Sequence, residues 1–431
     1  MHWPNATSRQ SVTRHERIVA TVHRMISRAS NSTHDSDDDW RTRADDAIPG
    51  GSSTGSKRAA ALYGSASHDN RLPTHFEKAS GCVLHTTEGV RLVDCSMALG
   101  AVAIGYADPA ITRAVQDAAA NGNVTGLPHR LEVEVAERLI EVIPCAEQVR
   151  FLRTGAEANA AAIRTARTLT NRTHVIACGY FGWLDWCSQV AGVPAETVAS
   201  VTWVPFNDID ALTSAVAEHS DQLAAVIIEP LVESLATVQW LQAARDLCTQ
   251  HVAVLIFDEV KTAFRMRTGG VQQLLGVEPD LTTLGKAMSN GYPLAALVGR
   301  AGVMEAVNRT WISSTAAAES TGLAAANAVL DWHDRVDVCE QLADIGETMQ
   351  ETVARALSKT PSLQIRAEGP AQMWRLVAEN PSDLDSLVAA ATRHGLLLKR
   401  GAYQFASLAH DEAAMTIIES GVAAAARDIL A

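Results

Sequence analysis

Two side chains stand out for the chemistry their types and placing allow. Asp258 closes the apolar run Val254-Leu255-Ile256-Phe257, and Lys286 follows Thr282-Thr283-Leu284-Gly285. A short apolar run bounded by charged and turn residues reads as a buried strand of a parallel sheet. Such sheets take their ligands beyond the carboxyl ends of the strands. An acid at one strand end and an amine beside another then face one crevice. Pyridoxal phosphate uses that pair: the lysine forms a Schiff base, and the acid keeps the pyridine nitrogen protonated so that the ring accepts electrons from a carbanion. Taken singly, each residue has a plainer reading, the Asp as a helix cap or surface acid and the Lys as a solvated charge.

The surrounding pattern supplies a scaffold for them. Residues 149–152 read as a strand, Thr154-Gly155-Ala156 as a small-residue turn and 158–168 as an Ala-rich helix. Further strands are expected at 175–177, 201–204 and 224–228, the last two each followed by a helix. Strands alternating with helices mean βαβ units and a mainly parallel sheet. Upstream, 83–96 alternates about Glu88-Gly89 as a hairpin does, and 109–121 and 131–142 have helical spacing. Asn290-Gly291-Tyr292-Pro293 turns the chain back into the apolar run 294–298. From Asp334 onward the chain reads as mostly helical, with strand-like runs such as Leu396-Leu397-Leu398, and forms a smaller lobe. Residues 1–45 differ in composition, carry an acidic run at 35–39 and could place one helix over 14–28; they read as a frayed extension or a docking arm.

Composition narrows the classes. A chain of 431 residues with 47% hydrophobic and 20% charged residues is that of a soluble globular protein. A net charge of -13 argues against a nucleic-acid surface, which needs clustered Lys and Arg. No apolar run has the length of a membrane span, and 1–28 lacks the apolar core of a signal peptide. Seven cysteines are scattered without a Cys-x-x-Cys pair, which argues against a disulfide framework and a zinc site; no metal is expected, and a reducing cytoplasm fits.

Other motifs bear on the same crevice. Unpaired amides at a helix start attract a phosphate, and Gly155 lets the backbone come close, although many strand-to-helix turns look alike. Tyr180-Phe181-Gly182-Trp183 and Asp185-Trp186 follow a strand end, where an aromatic either stacks on a flat ring or packs in the core. Trp183 and Trp186 could together make an aromatic substrate wall. Glu229-Pro230 caps the 226–228 strand with a second acid. The Gly/Ser run 48–58 is either a linker or a site loop whose Lys57 or Arg58 meets a carboxylate. Neither a Gly-x-Gly-x-x-Gly nor a Gly-x-x-x-x-Gly-Lys-Ser/Thr motif of a nucleotide site is present.

Together these residues resemble the class III aminotransferases, a branch of the fold-type-I pyridoxal phosphate enzymes, and within it the subgroup around glutamate-1-semialdehyde aminomutase. The stretch 151–159 is similar to the family's phosphate cup, Asn-Ser-Gly-Thr-Glu-Ala, and Tyr180-Phe181-Gly182 sits where the family has Tyr-His-Gly. Phe257-Asp258-Glu259-Val260-Lys261-Thr262-Ala263-Phe264-Arg265 is close to Asp-Glu-Val-x-Thr-Gly-Phe-Arg. The stretch 279–287 matches the lysine motif almost residue for residue, and 314–319 resembles the segment that one subunit lends to its partner. Ile48-Pro49-Gly50-Gly51 and Ala409-His410 also fit, so the likeness runs from about residue 46 to the end. Ala156 stands where the family has a hydroxyl residue, Phe181 where it has His, and Ala316-Ala317-Ala318 where it has a glycine-containing stretch.

The resemblance implies an α/β fold of type I, with a mostly parallel central sheet in a large domain and a smaller α+β domain built from the N-terminal segment and the C-terminus. Its boundaries would be 46–108, 109–333 and 334–431, after the 1–45 extension. Lys286 would form the Schiff base and then shuttle protons, and Asp258 would face the pyridine nitrogen with Glu229 at the ring's edge. Tyr180 and Val260 would flank the ring. Gly155, Ala156 and a partner subunit's Thr315 would hold the phosphate, which implies a homodimer with shared sites. Lys57, Arg58 and Trp183 would meet substrate. The activity implied is ping-pong transfer of an amino group from a small-molecule donor, such as the amino acid glutamate, to a carbonyl acceptor. An aminomutase or epimerase using the same lysine is the alternative, and a non-catalytic relative a more remote one.

Overall fold

The computed structural model describes residues 37–401 and 403–430. The helix expected over 14–28 lies outside them. Beyond it, 37–45 of the expected extension fall in the helix Asp37–Ala47, where Arg41 donates to the carbonyls of Leu72 at 2.7 Å and Ser67 at 3.1 Å.

Three antiparallel strands open the fold: β1 (Phe76–Ser80), β2 (Val83–Thr86) and β3 (Arg91–Asp94), the last two being the expected hairpin. Seven strands then build the central sheet: β4 (Gln148–Leu152), β5 (His174–Cys178), β6 (Val201–Trp203), β7 (Leu223–Ile228), β8 (Val254–Asp258), β9 (Leu281–Leu284) and β10 (Ala295–Gly299). Their order is β4-β10-β9-β8-β7-β5-β6. All pairings are parallel except those of β10, which runs against both neighbours. The connection 285–294 is too short for a crossover, so β10 must return antiparallel beside β9.

Strands β5, β7, β8, β9 and β10 are buried at every position, which is why they read as near-continuous apolar runs. Alternate residues feed two different cores. Leu255 and Phe257 of β8 join one, while Val254 and Ile256 join the other, on the opposite face. The helix Gly155–Thr170 covers the second face, and Val238–His251 covers the first.

The later strands are β11 (Ile365–Glu368), β12 (Met373–Ala378), β13 (Leu396–Leu397) and β14 (Tyr403–Phe405). Strands β11, β12 and β14 form an antiparallel sheet, whereas β13 joins the N-terminal strands, parallel to β3 with Leu396 opposite Val93. Arg265 ties these parts to the central sheet. It is buried, has no carboxylate partner among the described residues and donates to the carbonyls of Ala406 at 2.8 Å, Gly100 at 3.1 Å and Gln372 at 3.2 Å. Its guanidinium also lies 5.0 Å from the Phe405 ring centroid, and burial lowers its pKa to about 10. No helix among the described residues is long and apolar enough to cross a membrane.

Replacing Arg265 strands three buried carbonyls at once. Arg265→Leu is expected to lower stability by roughly 3 kcal/mol, as the loss of charged hydrogen bonds does, read as a lower urea midpoint; an unchanged midpoint would refute this account.

Candidate active site

Asp258 ends β8 and is 5% exposed. Its Oδ2 accepts from the Asn159 side-chain amide at 2.7 Å, and its Oδ1 accepts from the Val260 backbone N–H at 3.0 Å. Asn159 belongs to the helix Gly155–Thr170, and its own amide oxygen accepts from the Thr283 hydroxyl of β9 at 2.7 Å. One helix and two strands therefore fix a single carboxylate. Burial, with the nearby Glu229 charge, raises its pKa to about 6, against the opposing pull of those hydrogen bonds and of Lys286.

Lys286 comes directly after β9, where the chain breaks into a 3₁₀ turn, Lys286–Ser289. Its φ of 46° is in the left-handed region, a conformation that costs a side-chain-bearing residue and persists only where the surroundings impose it. Burial makes its amine less basic than an ordinary lysine. The neighbouring Lys261 adds to that, while Asp258 and Glu229 oppose it.

The expected phosphate cup is a helix start. Thr154 caps Gly155–Thr170 in a capping box with Glu157, leaving the amides of Gly155 and Ala156 without intrahelical acceptors. A Cβ on Gly155 would stand 2.9 Å from the Val260 methyls, so glycine is what lets Val260 close on this turn. Gly182, at φ 100°, lies similarly against Ala156, where a Cβ would come within 2.5 Å. Amine, buried carboxylate and helix-start amides are thus gathered around Val260 and the 179–182 loop. That donor set fits pyridoxal phosphate: a partner for its aldehyde, one for its ring nitrogen and a dipole end for its phosphate.

Glu229 also reaches this cluster. Its Oε1 pairs with Lys261 at 2.5 Å and its Oε2 accepts from the Tyr180 backbone N–H at 3.1 Å. The sequence reading assigned no role to Lys261, Asn159 or Tyr403. Lys261 occupies the open position of a motif and looked like any charge. Asn159 had one visible signal, a poor helix former inside an Ala-rich helix.

Other expected residues lie differently. Lys57 and Arg58 are exposed; Arg58 Nε donates to the Ser52 carbonyl at 3.4 Å, and neither cation has a carboxylate partner among the described residues. Tyr180 and Trp183 are 73% and 74% exposed, with no ring stacked on either among the described residues. Trp186 is corrected: it is buried and packs on Phe181 at 5.8 Å between ring centroids, so it belongs to the core and builds no substrate wall with Trp183. Thr315 is exposed and lines a separate cavity of about 270 Å³ with His129, Arg150 and Ser314. No group of three or more His, Cys, Asp or Glu able to hold a metal occurs among the described residues.

Known proteins resemble this chain over most of its length. The family Aminotransferase class-III matches residues 63–410. The chain is similar to the glutamate-1-semialdehyde 2,1-aminomutase of Rhodopirellula baltica, at 33% identity over 79% of this chain and 81% of that one. It is similar also to the 2'-deamino-2'-hydroxyneamine transaminase of Streptomyces kanamyceticus, at 33% identity over 77% and 86%. Among solved structures, the internal aldimine form, with pyridoxal phosphate, of the FumI protein from Sphingopyxis sp. MTA144 superposes with a TM-score of 0.86, at 25% identity over 92% and 96%.

The raised pKa of Asp258 has a consequence for stability. Between the ordinary 3.8 and about 6, the folded chain keeps a proton that the unfolded chain has lost. This group's contribution is therefore full below the lower value and lost as pH rises through the upper one. Cofactor-free Asp258→Asn is expected to exceed cofactor-free wild type in stability near neutral pH by on the order of 2 kcal/mol. The two should converge at acid pH, and equal denaturation midpoints at both would contradict the burial argument.

Proposed function

Because the chain belongs to the class-III aminotransferases, we propose that Lys286 and Asp258 carry its chemistry, in a site completed by Glu229, Val260, Tyr180 and the helix start at Gly155 and Ala156. The protein is a pyridoxal phosphate-dependent aminotransferase, moving an amino group from a donor to a carbonyl acceptor. The cofactor, when bound, supplies the electron-accepting ring and carries nitrogen between the half-reactions. The observation that bears most weight is the locked Asp258 carboxylate beside a lysine of reduced basicity.

Each residue's part follows from its surroundings. A less basic amine at Lys286 holds more of its neutral form near pH 7, and only that form attacks a carbonyl or takes a proton from carbon. Asp258 would hold the protonated ring nitrogen of the cofactor and gain there an ion pair that its neighbours in this chain do not give it. The amides of Gly155 and Ala156 would hold the phosphate, with no side-chain hydroxyl from Ala156. Arg58, a guanidinium without an acidic partner among the described residues, is suited to a substrate carboxylate, with Lys57 beside it in sequence and the exposed Trp183 as a further substrate contact. The exposed Tyr180, Trp183 and Thr315 support a homodimer in which a second subunit covers these faces and its Thr315 meets the phosphate. Pairing of β13 with β3 supports a smaller lobe assembled from 46–108 and 334–431, set against a large domain of 109–333. Seven free thiols support a cytoplasmic setting.

The names of several relatives favour a second reading, an aminomutase that keeps both half-reactions on one carbon skeleton. Incubation with amino donors alone separates the two. Conversion of the cofactor to its amine form, with release of the oxo product, marks transamination; an isomerised product without a second substrate marks the mutase.

Lys286→Ala is expected to lose borohydride-fixable cofactor and to slow turnover by about 10²–10⁴-fold; retention of either would end this assignment. Arg58→Ala is expected to raise KM for carboxylate-bearing substrates about tenfold while kcat moves less. Unchanged KM values in both Arg58→Ala and Lys57→Ala would remove these cations from the site.

A further inference from the structure

Glu229 brings a second carboxylate to the crevice that holds Asp258, and its charge hinders the ionisation of Asp258. Lys261 answers that charge. Its ammonium stands 2.5 Å from Glu229 Oε1, with the two side chains 9% and 10% exposed. On another side Lys261 meets the Tyr403 ring, Nζ lying 4.7 Å from its centroid. Lys261 follows Val260, whose methyls close on Gly155 and Gly285, so this cation lies one residue from the centre of the site. A long amine is costly to bury, and an apolar residue of that length would fill the same volume. What the position keeps is the charge.

We propose that Lys261 is a positioning residue: its ion pair with Glu229 neutralises one of the two acids beside Lys286, leaving Asp258 as the ionised acid and the Lys286 amine free to react. This rests on the assignment of Lys286 and Asp258 made above. The charged groups that act on Lys286 are Lys261, Asp258, Glu229 and Arg265. Those acting on Asp258 are Glu229 and Lys286, and Tyr403 has Glu229, Glu233 and Arg375 around it. Lys261 makes Lys286 less basic, and the two acids make it more so. Removing Lys261 therefore takes away a lowering influence and releases the full Glu229 charge. Both changes push Lys286 upward, and the second pushes Asp258 upward as well.

The test is a pH titration with two readouts. One is the absorbance of the pyridoxal phosphate-loaded enzyme. The other is the acylation rate of Lys286 in cofactor-free protein, followed by peptide mass spectrometry. Lys261→Met is expected to move both midpoints up by about one pH unit or more, the effect of a nearby unit charge. Lys261→Arg should stay near wild type, Glu229→Gln should move both midpoints down, and the Lys261→Met/Glu229→Gln pair should return towards wild type. Unmoved midpoints in Lys261→Met, or an equal upward shift in Lys261→Arg, would overturn the proposal. Should Lys261→Met not fold, wild-type midpoints in Lys261→Arg together with lowered midpoints in Glu229→Gln support the proposal, and unmoved midpoints in Glu229→Gln overturn it. A lysine-bound cofactor band surviving in Lys286→Ala would instead sink the underlying site assignment. Loss of that band with unmoved midpoints in Lys261→Met sinks only the role of Lys261.

Discussion

A carboxylate held away from water at the end of a buried strand is the constraint on which this structure turns. Among the described residues Asp258 has no cation against it at hydrogen-bonding distance; its partners are the Asn159 amide, the Val260 N–H and, at 3.4 Å, the Thr283 hydroxyl. Those bonds need the helix Gly155–Thr170, β8 and β9 in one arrangement, because Asn159 also takes the Thr283 hydroxyl. The same helix offers its free amides at the other end of the crevice. A single packing of helix on sheet thus sets both the acid and the anion site, and their separation is as fixed as the core between them.

Around that acid the charges are arranged in a graded way. Lys261 cancels Glu229, Glu229 acts on Asp258, and Lys286 is set between cations and anions that pull its basicity in opposite directions. Arg265 donates from its terminal nitrogens to three carbonyls instead of an acid, so it ties segments far apart in sequence together while adding positive potential. Low dielectric makes each of these effects larger than it would be at a surface.

Much of this was legible in the residues. Strand β7 is apolar throughout, and β5 and β8 are so but for one end residue each, because both faces are covered; Asp258 breaks such a run abruptly. Lys286 was visible through its motif and its place after β9. Lys261 was not, since burial of a lysine is settled by a carboxylate from a different strand, far away in sequence. Trp183 and Trp186 show the same limit. They are three residues apart with similar neighbours, yet one is exposed and the other lies against Phe181. The antiparallel course of β10 came from the length of a connection, and apolar content alone carries no direction.

The pairing of β13 with β3 places the two ends of the described chain in one sheet. During synthesis, β3 leaves the ribosome long before its partner β13. The central sheet can therefore gather while β13 is still being made, and the four-stranded sheet closes only once β13 has emerged. Ala406, an acceptor for Arg265, emerges at that late stage too. A truncated or stalled product would accordingly possess the lysine and acid yet lack the wall that encloses them.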